Sequence, residues 1–321
     1  MTILGKQGFQ YKADGSDWGE LPEGWTYREA TAVAVNSKDQ VYVFNRGGHP
    51  IIIFDSEGKF LDSWGEDAFV MPHGIAIGPD DSVYCVDVGE STIKKFTPEG
   101  KLLMKIESEN GRVEPMSGNP FCRPCHVAIN PRNGDLYVAD GYSNAKVHKY
   151  SSDGRFIESW GDSGTDPGRF NIVHNIDIDS DGYVYVADRE NRRIQVFNDR
   201  GKFETQWVNL SRAAAICVDK EPGGFVYVGE YFAGQTSNQI GKHLGPRVTI
   251  YSKSGEVKAR LSEEPAGAES GRFWAPHAIA IDSNKDIYVA EVSVSEYAER
   301  GVEPPPFLRS MQKLTKVNGG N

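Results

Sequence analysis

Six segments of the chain repeat one pattern: an alternating apolar strand, a polar turn rich in Asp, Asn and Gly, and a second strand carrying a tyrosine. They read VAVNSKDQVYVFN from Val33, IAIGPDDSVYCVDV from Ile75, VAINPRNGDLYVAD from Val127, IDIDSDGYVYVAD from Ile176, AAICVDKEPGGFVYVGE from Ala214 and IAIDSNKDIYVAE from Ile279. Alternation interrupted by such a turn is a hairpin signature. The anchoring residues Tyr42, Tyr84, Tyr137, Tyr185, Tyr227 and Tyr288 stand 42 to 61 residues apart, the period of a propeller blade. A third strand follows in five units as IIIF, IKKF, VHKY, IQVF and VTIY, and a fourth as FLDSW, LLMKI, FIESW, FETQW and VKARL. Four strands in each of six units predict an all-β, six-bladed β-propeller, whose blades bury their faces against one another. MQKLTK from Met311 ends the sixth unit, and GFQYKADGSDW near the N-terminus is expected to complete it. The ring is then closed by N- and C-terminal strands, which removes the open edges. Residues 1–321 are read as a single domain, with PPPF from Pro304 a rigid loop inside the last blade.

A net charge of -10 and a pI near 5.3, without any Lys/Arg-rich block, argue against nucleic acid as a partner. No apolar run approaches the roughly 20 residues needed to span a bilayer, and the N-terminus shows no export signal. Four cysteines, Cys85, Cys122, Cys125 and Cys217, are too few for a disulfide framework in a chain this long. The expectation is a cytoplasmic protein with reduced thiols and no membrane association.

Two motifs bear on chemistry. FCRPCH, residues 121–126, matches the C-x-x-C-H pattern of covalent haem attachment. The repeat register speaks against haem, because it puts His126 at a strand start and both cysteines in the connection leading to it. Counting back eleven residues from each blade tyrosine reaches Thr31, His73, His126, His174, Ile216 and His277. Four of the seven histidines therefore fall on one count, near the expected mouth of the central channel. His73, His174 and His277 lie in alternate blades, a third of a turn apart, so their imidazoles can converge on the axis. Three imidazoles with an open fourth position form the ligand set of a catalytic zinc or another divalent transition metal. The plain alternative is a Pro-His before an Ile-Ala strand that packs at the rim.

MPHGIAIGPDDSVYCVDV resembles an NHL repeat. VFNRGGH, MPHG, FCRP, ADGY, VHNI, VADRENRRIQ and APHAIA, from about Ala32 to Val292, resemble in order the motifs of peptidyl-α-hydroxyglycine α-amidating lyases. The resemblance implies zinc on His73, His174 and His277, and catalytic roles for Tyr142, Arg46 and Arg189. It also implies a carbinolamide substrate with a carboxylate, split into an amide and glyoxylate. In that chemistry Tyr142 accepts the proton of the metal-bound hydroxyl, and the two arginines hold the carboxylate.

Four positions depart from the family. His126 stands where the family has an aspartate, making it a possible extra base or fourth ligand. Ala278 takes a carboxylate away from the family's structural calcium site. Ala275 replaces a methionine beside the metal, and Ser143 a half-cystine that would pair with Cys122. A small carbinolamide or related α-hydroxy acid is therefore expected rather than a peptide. The competing classes are a non-catalytic NHL scaffold and a propeller lactonase, whose metal is held mainly by carboxylates.

Overall fold

The computed structural model describes residues 2–108, 111, 113–300 and 308–317, and Pro304–Phe307 falls outside the described residues. Six antiparallel sheets stand around a central channel. Their innermost strands are Ala30–Val35, Pro72–Ile77, His126–Ile129, Val173–Ile178, Arg212–Val218 and Pro276–Ile281, for blades one to six. Each runs beside the innermost strand of the next blade, and the sixth runs beside the first.

The blades form where the repeat places them, because near-continuous apolar runs such as VYVF from Val41 and IIIF from Ile51 give the sheets two apolar faces, buried throughout. Each anchoring tyrosine is at most 2% exposed. One apolar cluster joins Val43 and Phe54 of blade one to Ile75 and Val83 of blade two, and to Tyr288 and Met311 of blade six. Burying both faces between blades is what holds each sheet, since a single hairpin pair has too little core of its own.

Blade six shows how the ring closes. Its strand order is Thr2–Lys6, Phe9–Ala13, Met311–Lys316, Ile287–Glu291 and Pro276–Ile281. Phe9–Ala13 is the expected completing strand, with Tyr11 opposite Lys316 and Ala13 opposite Leu314. A fifth strand, Thr2–Lys6, continues outward through the two-residue turn Gln7–Gly8. The repeat gave no sign of it, because no other blade has an equivalent. A short α-helix, Ser293–Arg300, follows the second strand of the same blade. Among the described residues no helix is long and apolar enough to cross a membrane.

Tyr11 is 1% exposed and packs with Val248, Leu261 and Leu314, so it ties the N-terminal strand to blades five and six. Tyr11→Ala is expected to cost about 3–5 kcal/mol, read as a lower urea midpoint with an unchanged slope. A loss below about 1 kcal/mol would mean that the closure contributes little.

Candidate functional site

The start of the innermost strand carries a β-bulge in five blades, at Thr31, His73, His174, Ala214 and His277. A bulged residue leaves the strand ladder, and its side chain is re-aimed. Here the bulge turns three imidazoles toward the axis. The ligating nitrogens of His73, His174 and His277 lie within 4.8 Å of one another, and all three residues are buried.

Each of these imidazoles is held by the next blade. His73 Nδ1 donates to Cys125 O at 2.7 Å, His174 Nδ1 to Ala214 O at 2.7 Å and His277 Nδ1 to Thr31 O at 2.5 Å. A carbonyl can only accept, so the proton is fixed on Nδ1 and the lone pair on Nε2. Burial, first of all, lowers the pKa of all three. His277 comes down to about 3, with Arg46 the next cause. The trio is neutral at neutral pH.

Tyr142 faces this cluster, its hydroxyl 3.0 Å from His73 Nε2 and 3.1 Å from His174 Nε2. Its position comes from Gly141, where a Cβ would meet Val173 O at 2.1 Å; only glycine lets blade three approach blade four so closely. One phenolic proton cannot serve two lone pairs. Three Nε2 atoms and a phenol oxygen therefore present more acceptors than donors, an arrangement that a cation satisfies. The residues fit a divalent transition metal held by imidazole.

The arginines border the same space. Arg189 lies over the Tyr142 ring at 5.5 Å, and its Nε donates to Glu190 at 2.8 Å. Arg123 lies over that ring at 5.4 Å. Arg46 donates to Pro72 O at 3.2 Å, to Glu29 at 2.8 Å and to Ser295 Oγ at 3.3 Å. Burial raises the Tyr142 pKa, while Arg189 and Arg46 oppose the rise.

The structure corrects the count at His126. Its strand pairs His126 with Ala139, two residues after Tyr137, whereas blade two pairs Gly74 with Val86, two residues after Tyr84. His126 thus matches Gly74, and Cys125 matches His73. The cause is the Asn130–Asp135 turn, one residue longer than its counterpart in blade two; the longer turn of blade five likewise moves the bulge to Ala214 from Ile216. His126 lies outside the group of three convergent histidines. Its imidazole lies against Gly74, where a Cβ would come within 2.8 Å of it. At its level the other innermost strands present Ala32, Gly74, Asn175, Ala215 and Ala278, without a carboxylate.

In the FCRPCH stretch Cys125 is fully buried and serves the site through its carbonyl. Ser143 sits beside Cys122 as the resemblance implied, joined to it by a backbone bond from Ser143 N to Cys122 O of 3.2 Å. Sequence reasoning missed Tyr231, whose ring lies 6.3 Å from that of His277. The signal was present: Tyr231 follows Tyr227 by four residues, as Arg46 follows Tyr42 and Arg189 follows Tyr185.

Comparison with known proteins agrees with this architecture. A family model described as a 6-bladed beta-propeller matches residues 127–244. Peptidyl-alpha-hydroxyglycine alpha-amidating lyase 1 of Drosophila melanogaster is 30% identical over 78% of this chain and 49% of its own length. NHL repeat-containing protein 3 of Homo sapiens is 34% identical over 60% of this chain and 58% of its own length. The chain thus spans about half the length of these curated relatives. A solved streptogramin B lyase shares the fold at a TM-score of 0.58, with 10% identity, covering 94% of this chain and 96% of its own.

The neutral trio has a consequence for metal-free protein. Unfolded histidines bind protons below about pH 6.5, while the folded His277 does so only near pH 3. Stability present above about 6.5 is therefore lost as pH falls toward 3, by about 1.4 kcal/mol per pH unit per histidine. Urea midpoints from pH 7 to 5 should fall more steeply for the parent than for His277→Gln. Parallel slopes would show that His277 is charged in the folded state.

Proposed function

From a six-bladed β-propeller with relatives named peptidyl-α-hydroxyglycine α-amidating lyase and NHL repeat-containing protein 3, we propose a metal-dependent carbon–nitrogen lyase. Its substrate is a small N-substituted α-hydroxyglycine or a related α-hydroxy acid. The observation that carries this reading is the convergence of three Nδ1-anchored, neutral imidazoles with the Tyr142 hydroxyl between flanking guanidiniums.

His73, His174 and His277 would hold the ion. Zinc, or another divalent transition metal, supplies Lewis acidity that makes the substrate hydroxyl more acidic. Arg46 and Arg189 bind and orient the substrate carboxylate through their planar forks. Tyr142 accepts the hydroxyl proton. Arg189 and Arg46 favour the phenolate that this requires, against the burial that opposes it. As the hydroxyl becomes a carbonyl, the electron pair of the carbon–nitrogen bond leaves with nitrogen, which takes up a proton. The products are an amide and glyoxylate. A lactonase would call for carboxylate donors, whereas the group of potential ligands found among the described residues is all imidazole.

Elemental mass spectrometry should find about one zinc per chain, lost in His73→Ala and kept in His126→Ala. Glyoxylate release from N-acetyl-α-hydroxyglycine should fall about 10²–10⁴-fold in Tyr142→Phe with zinc retained. A parent without tightly bound metal, or a Tyr142→Phe variant of full activity, would overturn the proposal.

A further inference from the structure

We infer that Tyr231 is a substrate-binding residue that donates a hydrogen bond to the acyl oxygen on the leaving-nitrogen side, so that the site selects N-acyl or N-carbamoyl substrates over plain α-hydroxy acids. This rests on the lyase reading above and deepens it. Tyr231 leaves blade five at the register from which Arg46 leaves blade one and Arg189 leaves blade four. The backbone N–H groups of Arg46 and Arg189 bond Glu29 O and Ile172 O at 3.0 Å, and Tyr231 pairs with Arg212 at the same point of its sheet.

The side chain is 5% exposed, and its hydroxyl is buried with no hydrogen-bond partner among the described residues. Native structures rarely leave a buried hydroxyl unpaired, and a bound ligand is one reason for it. The Arg212 guanidinium lies over the ring, 5.6 Å from its centre, and the His277 ring is 6.3 Å away. The ring packs with Ala214, Ala275 and Val292, small side chains that leave the hydroxyl uncovered by a neighbouring acceptor. A phenol hydroxyl is a hydrogen-bond donor, and this one has no acceptor among the described residues.

The α-carbon of the proposed substrate carries three polar arms. Tyr142, on the His73 and His174 side, takes the hydroxyl arm, and the two arginines take the carboxylate. The acyl-nitrogen arm is left for the third exit residue, on the His277 side. A plain α-hydroxy acid has no such arm and loses nothing without Tyr231.

The test is Tyr231→Phe, which keeps the ring and removes only the hydroxyl. Zinc-loaded parent and variant are titrated calorimetrically with N-acetylglycine, which has the acyl arm, and with glycolate, which lacks it. Binding of N-acetylglycine should weaken about tenfold, with glycolate affinity, zinc content and thermal midpoint unchanged. Equal weakening of both probes or a lowered thermal midpoint would assign the hydroxyl a structural role, and no weakening of either would leave it without a role in binding; each result overturns the inference. A parent that binds both probes but releases no glyoxylate from N-acetyl-α-hydroxyglycine defeats the lyase reading while the two affinities still judge Tyr231. A parent that binds neither probe defeats both.

Discussion

The site depends on a ring of buried hydrogen-bond acceptors, one at the end of the second strand of each blade. Asn45, Asp87, Asp140, Asp188, Glu230 and Glu291 each follow their blade tyrosine by three residues, and all are 0% exposed. Each accepts a backbone N–H from the segment that leads into its own blade: Glu29, Val70 and Met71, Cys122, Asn171, Ser211, and Trp274 and Ala275. A buried carboxylate is costly unless satisfied, so these bonds fix the incoming backbone strongly. The bulge residue comes next in that backbone, and the exit residue follows the acceptor itself. The three convergent histidines and the exit arginines are thus both positioned by one side chain per blade. Basic or imidazole partners complete several of them, as with Asp140 and His148 at 3.1 Å, Asp188 and Arg193 at 2.7 Å, and Glu230 and Arg247 at 2.9 Å.

A six-fold frame yields a three-fold site because alternate blades do different work. Blades two, four and six supply the imidazoles, and blades three, five and one supply the carbonyls of Cys125, Ala214 and Thr31 that orient them. The supporting partners are backbone atoms, so side-chain substitution at those three positions leaves the acceptor in place. Cys125, Ala214 and Thr31 share nothing chemically except that carbonyl. A backbone carbonyl at the strand start, not the residue type, is what these blades contribute.

The repeat made the blades and the ring closure legible, because tyrosine spacing and hydrophobic alternation are local. Three histidines were legible for the same reason. Thr2–Lys6 was not, since it is an addition to one blade with no repeat to announce it. The alignment of His126 failed because counting from the tyrosine assumes equal turns, and the Asn130–Asp135 turn holds one more residue. Counting from the bulge would have required the register itself. Tyr231 escaped although its register was countable, because the family resemblance that pointed to Arg46 and Arg189 implied no residue of blade five. The pairing of Arg46 with Glu29 and of Arg212 with Glu190 joins segments far apart in the chain and had no sequence signal.

Those pairings bear on what the proposed site accepts. Arg46 faces Glu29, and Arg189 and Arg212 share Glu190, with Arg212 reaching it at 2.8 Å. A second substrate carboxylate would meet Glu29 or Glu190 at close range in a poorly screened space. The helix Ser293–Arg300 reinforces the limit, because Ser295 donates to Glu29 through both its N–H and its hydroxyl at 2.7 Å and holds that acid beside Arg46. The acid is part of the wall and cannot swing aside without giving up those bonds. The arginines proposed to meet the carboxylate are therefore held by Glu29 and Glu190 before a substrate arrives, which spares the reordering cost that a loosely held pocket would impose.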